Sequence, residues 1–544
     1  MPAFLWIASV FAAFRRKAFT IDDPFFLAQA RQVLAHPFDP SGFDIVWGTQ
    51  VGRASEVSPT GPGMAYLLTP TVALGGSEWV AHLTVFAFLA LGAGSLAALA
   101  QRLGARPAEA RLGALALATT PVVLAMAGTA MPDVPAMAVA LVAMERTLAF
   151  RSEPRAALGI AVAGLFALAI LIRSHAVMLL PVAALFCVGD ALRGRGNQPR
   201  RDAGVPWPRL WPLALALFLA LGSAWLTRDA ATGVVNFATS AAYLEPRALA
   251  HHVTGFFFHF LLALPFALAW SVLHFRRLAW RLFLAIAVIL ALSLAAGRSW
   301  AAPFAAFAAV ALWDALRSTW RSGDTDRLAL VLWLFAALPV VMYVHLPSKY
   351  LTLSAPAAVL LLIFESRSCS PRTRRWLWTG WVIGGAVLGV AILRADARLA
   401  AVGREAAATL VAPRTAAGER VWYAGSWGLH WYAEAAGARP LLAAGPGEPA
   451  PGEYIVYSSF RSGALREPHY GARVDRVGDS GPGGRVMDRD AGAGFYSVDF
   501  GYLPWSFATG IVDQFELWRV ASPPSDDEAE PGARIRSLRS DAAR

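Results

Sequence analysis

Residues 79–100 read WVAHLTVFAFLALGAGSLAALA, a run without a single Asp, Glu, Lys or Arg, closed by Arg102 and Arg106. A helix needs about 20 mostly apolar residues, within a usual range of about 17–25, to cross the hydrocarbon core of a bilayer. This segment is long enough, and its arginines mark the return to water. The pattern recurs. Apolar runs at 112–127, 134–150, 156–172, 176–190, 210–226, 252–270, 282–297, 301–316, 328–345, 351–364 and 376–394 predict further spans. With the N-terminal segment 3–14 they make an all-α polytopic membrane domain of about 12–13 transmembrane helices. Composition agrees: 56% of the 544 residues are hydrophobic and 16% charged, against roughly 45–50% and about 25% in soluble domains. A disordered chain, a collagen-like fibre and an ordinary cytosolic enzyme are excluded.

The charge distribution gives the orientation. Lys plus Arg number 48 against 37 Asp plus Glu, a net charge of +11. Such a balance can signal nucleic acid, but the arginines sit in short clusters between apolar runs, so no nucleic-acid partner is expected. One set of loops carries Arg102, Arg106, Arg111, Arg151, Arg155, Arg193, Arg195, Arg200, Arg201, Arg209, Arg276, Arg277, Arg281, Arg317, Arg321, Arg327, Arg367, Arg372, Arg374 and Arg375. The short loops opposite carry only Arg173, Arg228, Arg247, Arg298 and Lys349. The positive-inside rule makes the first side cytoplasmic. Cys187 and Cys369, the two cysteines, then both face the cytoplasm. Loop 15–78 and everything after 394 fall outside.

Beyond residue 394 the composition changes. Residues 396–410 read as a helix, and Arg420–Gly425, Glu453–Ser459 and Phe515–Val520 as strands between Gly/Pro-rich turns. The chain therefore divides into a membrane domain at 1–394, an extracytoplasmic α/β domain at 395–521, and a charged tail at 522–544 whose composition predicts disorder.

Ionisable residues are costly in a bilayer, so those at the outer helix ends are the functional candidates. Asp22 and Asp23 precede Pro24, an acidic start to a helix whose Phe26, Ala30, Val33 and Leu34 form one apolar face. The spacing predicts a short amphipathic helix along the membrane surface. Asp133 stands between Pro132 and Pro135 in a short outer turn. Arg173 and His175, Arg298, and Lys349 and Tyr350 are the outer basic and aromatic groups. Local readings also account for each: the aspartates as helix caps, the cations as side chains snorkelling to headgroups. Carboxylates and cations together on the outer side are what a reaction on a lipid-linked phosphate needs. No Walker loop, His-x-x-x-His metal pair or Gly-x-Ser-x-Gly elbow is present. A polytopic lipid or glycan transporter without transferase activity is the alternative reading, though the paired half-chain repeats common in transporters are absent.

In order, these motifs resemble the C-superfamily (GT-C) glycosyltransferases, in the branch of the protein O-mannosyltransferase-like enzymes and the lipid A aminoarabinose transferase. The resemblance rests on Asp22-Asp23, Ala35-His36-Pro37-Phe38-Asp39-Pro40, Gly61-Pro62-Gly63, Met131-Pro132-Asp133-Val134-Pro135, Lys349-Tyr350-Leu351, and the tail segment Val421 to Gly428. It departs where the family more commonly has a glutamate at the position of Asp23 and where, in the lipid A branch, a lysine precedes the proline element. The resemblance implies a GT-C-like fold and a bacterial inner-membrane location with the site on the periplasmic side. It implies an inverting hexosyl or pentosyl transfer from a polyprenyl-phosphate sugar to a lipid, glycan or protein hydroxyl. Asp22 would be the general base, with Asp23 beside it. Asp133, Arg173, His175, Arg298, Lys349 and Tyr350 would hold the substrates. No cofactor is implied with certainty; a divalent cation held by the aspartates is the one candidate.

Overall fold

The computed structural model describes residues 1–47, 50–57, 61–192, 209–226, 246–280, 284, 286, 300–343, 345–425, 427–441, 449–458 and 471–521. They form two compact units. One comprises Met1–Trp47, Val51–Ala401 and Ser480–Val512; the other is built around Val402–Asp479 and the chain from Asp513. Residues 480–512 thus cluster with the helices, although the sequence assigned them to the C-terminal domain. The tail 522–544 and most of the predicted span 282–297 lie outside the described residues.

In the helical unit, apolar runs become helices at Glu78–Arg102, Asp133–Ser152, Ala156–Ile172, Leu180–Leu192, Trp211–Leu226, Pro246–Leu262 and Ala302–Ser322. Among the described residues, Glu78–Arg102, Thr325–Met342, Ser348–Ser368 and Pro371–Ala416 are long and apolar enough to cross a membrane. Two further helix pairs are apolar enough to span only when taken together, and both are bent: Pro107–Thr119 with Pro121–Ala127, and Ala248–Leu262 with Phe266–Leu273, each turned by 63°. Proline explains the bends, since Pro121 and Pro265 lack an N–H and crowd the preceding turn. The bends also satisfy each other, because the Val122 N–H donates to the Ala263 carbonyl at 3.0 Å. A backbone group freed inside a membrane needs such a partner. The chain is a multi-pass membrane protein, with some of its predicted spans shorter or bent.

Two local expectations change. The predicted break near 394 is absent: Pro371–Ala416 is one helix of 46 residues, with wide π-turns at Gly380–Gly384 and Ala407–Val411. The helix Asp23–Ala35 starts where the Asp-Pro pair predicts, but it does not lie on the surface by one apolar face. Asp23, Pro24, Phe25, Phe26, Leu27, Gln29, Ala30 and Val33 are all buried, and Gln29 Nε2 donates to Ser41 Oγ at 3.0 Å. Packing inside the protein has replaced lipid on most of its circumference.

The second unit is a five-stranded mixed sheet. Val421–Ala424 pairs in parallel with Tyr454–Ser458, which pairs antiparallel with Ile511–Val520; Tyr423 and Leu517 both face Val456 in register. The helix Gly428–Ala435 makes the crossover that parallel strands require. Val421, Tyr423, Val456 and Leu517 enter one core with Leu410 and Leu429, while Trp422, Ala424, Ile455 and Tyr457 enter another. Both faces of the sheet are covered, which explains the unbroken apolar run of its central strands.

Candidate active site

The site stands at one end of the helical unit, where the segment leading into Asp23–Ala35, the start of Asp133–Ser152, the turn after Ala156–Ile172 and the turn Ser348–Ser354 meet. Asp22 occupies the N-cap position of its helix, yet its side chain caps nothing. Its Oδ2 instead accepts from Lys349 Nζ at 2.6 Å. The Asp22 side chain is 33% exposed and that of Lys349 7%, so the pair is half open on the carboxylate side. Lys349 also lies 3.7 Å from Met131 Sδ and 5.9 Å from the centre of the Tyr496 ring. Directly before Asp22, Ile21 has φ +50°. A β-branched residue in the left-handed region is strained and persists only where packing imposes it; Ile21 is buried.

Beside this pair, Arg173 and Asp133 form a second. Arg173 Nε is 3.5 Å from Asp133 Oδ1, and both side chains are almost fully buried. Arg173 also donates to His175 Nδ1 at 3.3 Å and stacks its guanidinium 4.8 Å from the Tyr350 ring centre. His175 meets Tyr350 edge-on at 5.2 Å, and Tyr343 packs against Tyr350 at 6.1 Å. Asp133 accepts no hydrogen bond on either oxygen among the described residues. A buried carboxylate with open lone pairs needs a partner, and here a hydroxyl donor would fill that need.

Gly61-Pro62-Gly63 supports Arg173 from behind. A Cβ on Gly61 would run into the Leu171 carbonyl oxygen, and one on Gly63 would lie 2.6 Å from the Ile172 nitrogen. The segment touches backbone immediately before Arg173, a contact open only to glycine.

Of the residues singled out from sequence, Asp22, Asp133, Arg173, His175, Lys349 and Tyr350 converge. Arg298 lies outside the described residues. Asp23 is adjacent but turned inward: Oδ2 accepts from the Thr20 N–H at 3.0 Å and Oδ1 from the Ala130 N–H at 2.8 Å. It ties the segment after the first helix to the turn before Asp133 and is fully buried. Behind it, Lys17 Nζ and Asp396 Oδ2 form a buried ion pair at 2.8 Å, and Lys17 O meets His82 Nε2 at 2.9 Å. Sequence reasoning missed this pair, Tyr343 and Tyr496. The only signal was a charged residue at the outer end of each of two apolar helices, Lys17 after one and Asp396 in the other. Among the described residues no group of three His, Cys, Asp or Glu side chains stands together as metal ligands. Both carboxylates at the opening already face a cation.

The helical arrangement is similar to that of ArnT from Cupriavidus metallidurans in the apo state. The two share 14% identity and a TM-score of 0.51, over 85% of this chain and 93% of that one. A family model described as dolichyl-phosphate-mannose-protein mannosyltransferase matches residues 58–225, the part that holds Gly61, Asp133, Arg173 and His175. The chain has the fold of the GT-C glycosyltransferases. Two other GT-C structures are similar at a TM-score of 0.46. ArnT from the same organism bound to undecaprenyl phosphate shares 16% identity, over 85% of this chain and 94% of that one. The archaeal oligosaccharyltransferase AglB from Archaeoglobus fulgidus, in complex with an inhibitory peptide and a dolichol-phosphate, shares 11%, over 84% and 69%. No curated protein sequence matches the chain.

Proposed function

We propose that this GT-C protein is an inverting membrane glycosyltransferase that moves a sugar from a polyprenyl phosphate to a hydroxyl on a lipid, glycan or protein at the extracytoplasmic face. The observation that carries the reading is the contact of Asp22 with Lys349 at 2.6 Å between residues 327 apart in sequence. It joins a carboxylate that is a third exposed and a cation at the mouth of a buried polar cluster. The family model at 58–225, with its lipid-phosphate sugar donor, supports the same chemistry.

The transfer is a displacement at the anomeric carbon. The acceptor oxygen attacks, and its proton passes to Asp22. The bond from the anomeric carbon to phosphate oxygen breaks, and its electron pair leaves on the polyprenyl phosphate. Inversion places the incoming oxygen and the leaving phosphate on opposite sides of the carbon, so base and phosphate-binding cation cannot remain in contact. The donor phosphate therefore draws Lys349 away on its flexible four-carbon stem, which frees Asp22 for the acceptor. Arg173 stays in place under Tyr350 and adds positive charge facing the leaving group. Asp133 takes a substrate hydroxyl. The activated donor supplies the energy.

Asp22→Asn keeps the shape at this position and removes the base. It is expected to insert and fold normally while transfer falls by about 10²–10⁴-fold, the usual worth of a general base. Lys349→Ala is expected to weaken donor use by about 10- to 150-fold, the equivalent of one charge-assisted hydrogen bond of about 1.5–3 kcal/mol. Transfer of a labelled sugar from polyprenyl phosphate in membranes with equal protein measures both. Wild-type rates in Asp22→Asn would refute the base. Lipid transport without transfer would restore the transporter reading.

A further inference from the structure

At the arginine-rich end of the helical unit a groove of about 1150 Å³ opens between the starts of helices Pro107–Thr119 and Pro371–Thr379. Arg106, Arg372, Arg374 and Arg375 line its rim, while Leu112, Leu115, Ile363, Val382 and Ile383 form an apolar wall beneath. One carboxylate, Glu109, also lines it, and that group is already neutralised by Arg367 at 2.6 Å. The four rim arginines make no ion pair among the described residues. Their clustering has a cost. Three of them stand in the opening turns of a helix that has no acidic residue in its first turn, where like charge opposes the positive end of the helix dipole. Trp376 is 67% exposed at the rim, whereas Trp378 is buried and donates to Ser366 Oγ at 3.3 Å. Unpaired cations above an apolar wall, with an aromatic side chain at the boundary, match the two halves of a phospholipid.

We infer that this groove binds an anionic membrane phospholipid, its phosphate among Arg106, Arg372, Arg374 and Arg375 and an acyl chain along Leu112, Leu115 and Ile363. The charge complementarity selects an anionic lipid over phosphatidylcholine. The apolar wall selects a lipid over a free anion. The groove is lined by none of the residues of the proposed transfer site, so the inference stands or falls apart from that reaction.

The full chain in phosphatidylcholine nanodiscs, titrated with phosphatidylglycerol and followed by thermal unfolding, tests it. Wild type should gain a saturable rise in unfolding midpoint. The triple variant Arg372→Gln/Arg374→Gln/Arg375→Gln should need about a hundredfold more phosphatidylglycerol for the same rise. Arg317→Gln/Arg321→Gln, which removes charge from the same set of loops outside the groove, should respond like wild type. Leu115→Trp keeps every charge but fills the wall and should also weaken the response; it decides the matter if the triple variant fails to fold. Equal losses in the triple variant and the Arg317/Arg321 control would reduce the effect to general surface charge and overturn the proposal. An equal rise with inorganic phosphate alone, or an unchanged response in Leu115→Trp, would overturn it as well.

Discussion

Asp22 and Asp23 are neighbours of one residue type with opposite surroundings. Asp22 is a third exposed and meets a lysine. Asp23 is fully buried, on the outer-loop helix rather than in a spanning segment, and accepts two backbone N–H groups. Burial pushes the Asp23 carboxyl up to about 7, against the opposing pull of Lys17 and of its two backbone donors. Between the unfolded value of 3.8 and about 7 the folded chain then holds a proton that the unfolded chain has released. Stability therefore falls as pH rises through that window and levels off above it. Asp23→Asn should abolish this slope in thermal unfolding scans from pH 4 to 8; a slope that survives the substitution would point to another group. The same variant should lose about 1–3 kcal/mol, because an amide offers one acceptor where two N–H donors converge and leaves one of them unsatisfied. Its transfer rate should drop far less than that of Asp22→Asn. That contrast separates a residue that holds the loop from one that touches substrate.

Among the elements, the segment Gly61-Pro62-Gly63 does the most for the site with the least chemistry. A methyl group on Gly63 would lie 2.6 Å from the Ile172 nitrogen and 2.8 Å from its Cα. Backbone in a packed turn cannot yield as a side chain can, so the loop or Arg173 must shift. Gly63→Ala is expected to cost about 1–3 kcal/mol in stability and to reduce donor use without any change in a titrating group. Gly164→Ala, in the helix Ala156–Ile172 that Gly63 packs against but with nothing within 4 Å of its Cβ position, should be neutral or slightly stabilising, since alanine is the better helix former by about 0.8–1 kcal/mol. Thermal midpoints and transfer rates of the two variants check the argument; equal behaviour would refute the seat. The helix Asp23–Ala35 makes a related point. Its first turns are buried by aromatic packing, with Phe25 and Phe26 edge-on at 5.5 Å and Phe25 and Trp47 at 6.4 Å, and this rigid packing holds the strained Ile21 turn that presents Asp22.

For the whole molecule, the helix Asp133–Ser152 sets the scale. Its 20 residues span about 30 Å, close to the thickness of a hydrocarbon core. Asp133 in the site is at one end and Arg151 at the other, where it pairs with Asp326 at 2.6 Å. Nearby helix ends are joined by Arg327 with Glu365 at 2.8 Å, Arg367 with Glu109 at 2.6 Å, and Arg102 with Glu145. Arginines and site thus occupy opposite ends of one membrane-length helix. On the orientation proposed from the positive-inside rule, the arginines would face the cytoplasm and the chain after the last long helix would emerge outside. Alkaline phosphatase fused after Gly418, in the turn that follows that helix, should be active. An active cytoplasmic reporter at the same junction would reverse the orientation.

The sequence alone determined the membrane class, the arginine asymmetry, the start of the helix at Asp23-Pro24 and six of the side chains that meet at the site. Each rests on a local property: hydropathy over about 20 residues, a cap-proline pair, or an ionisable group where burial is expensive. The bend at Thr120-Pro121 was also local, although its proline was read only as part of the span 112–127. Only the tertiary structure decided which neighbour of the aspartate pair is exposed beside Lys349 and which is buried on backbone N–H groups, since Asp22 and Asp23 have the same chemistry and the same claim to cap a helix. It likewise decided that Lys349 meets Asp22, that Lys17 meets Asp396, and that 480–512 returns to the helices with Tyr496. These contacts join loops hundreds of residues apart. No periodicity records them, because they are set by which helix ends pack together and by the need of each buried charge to find a partner there.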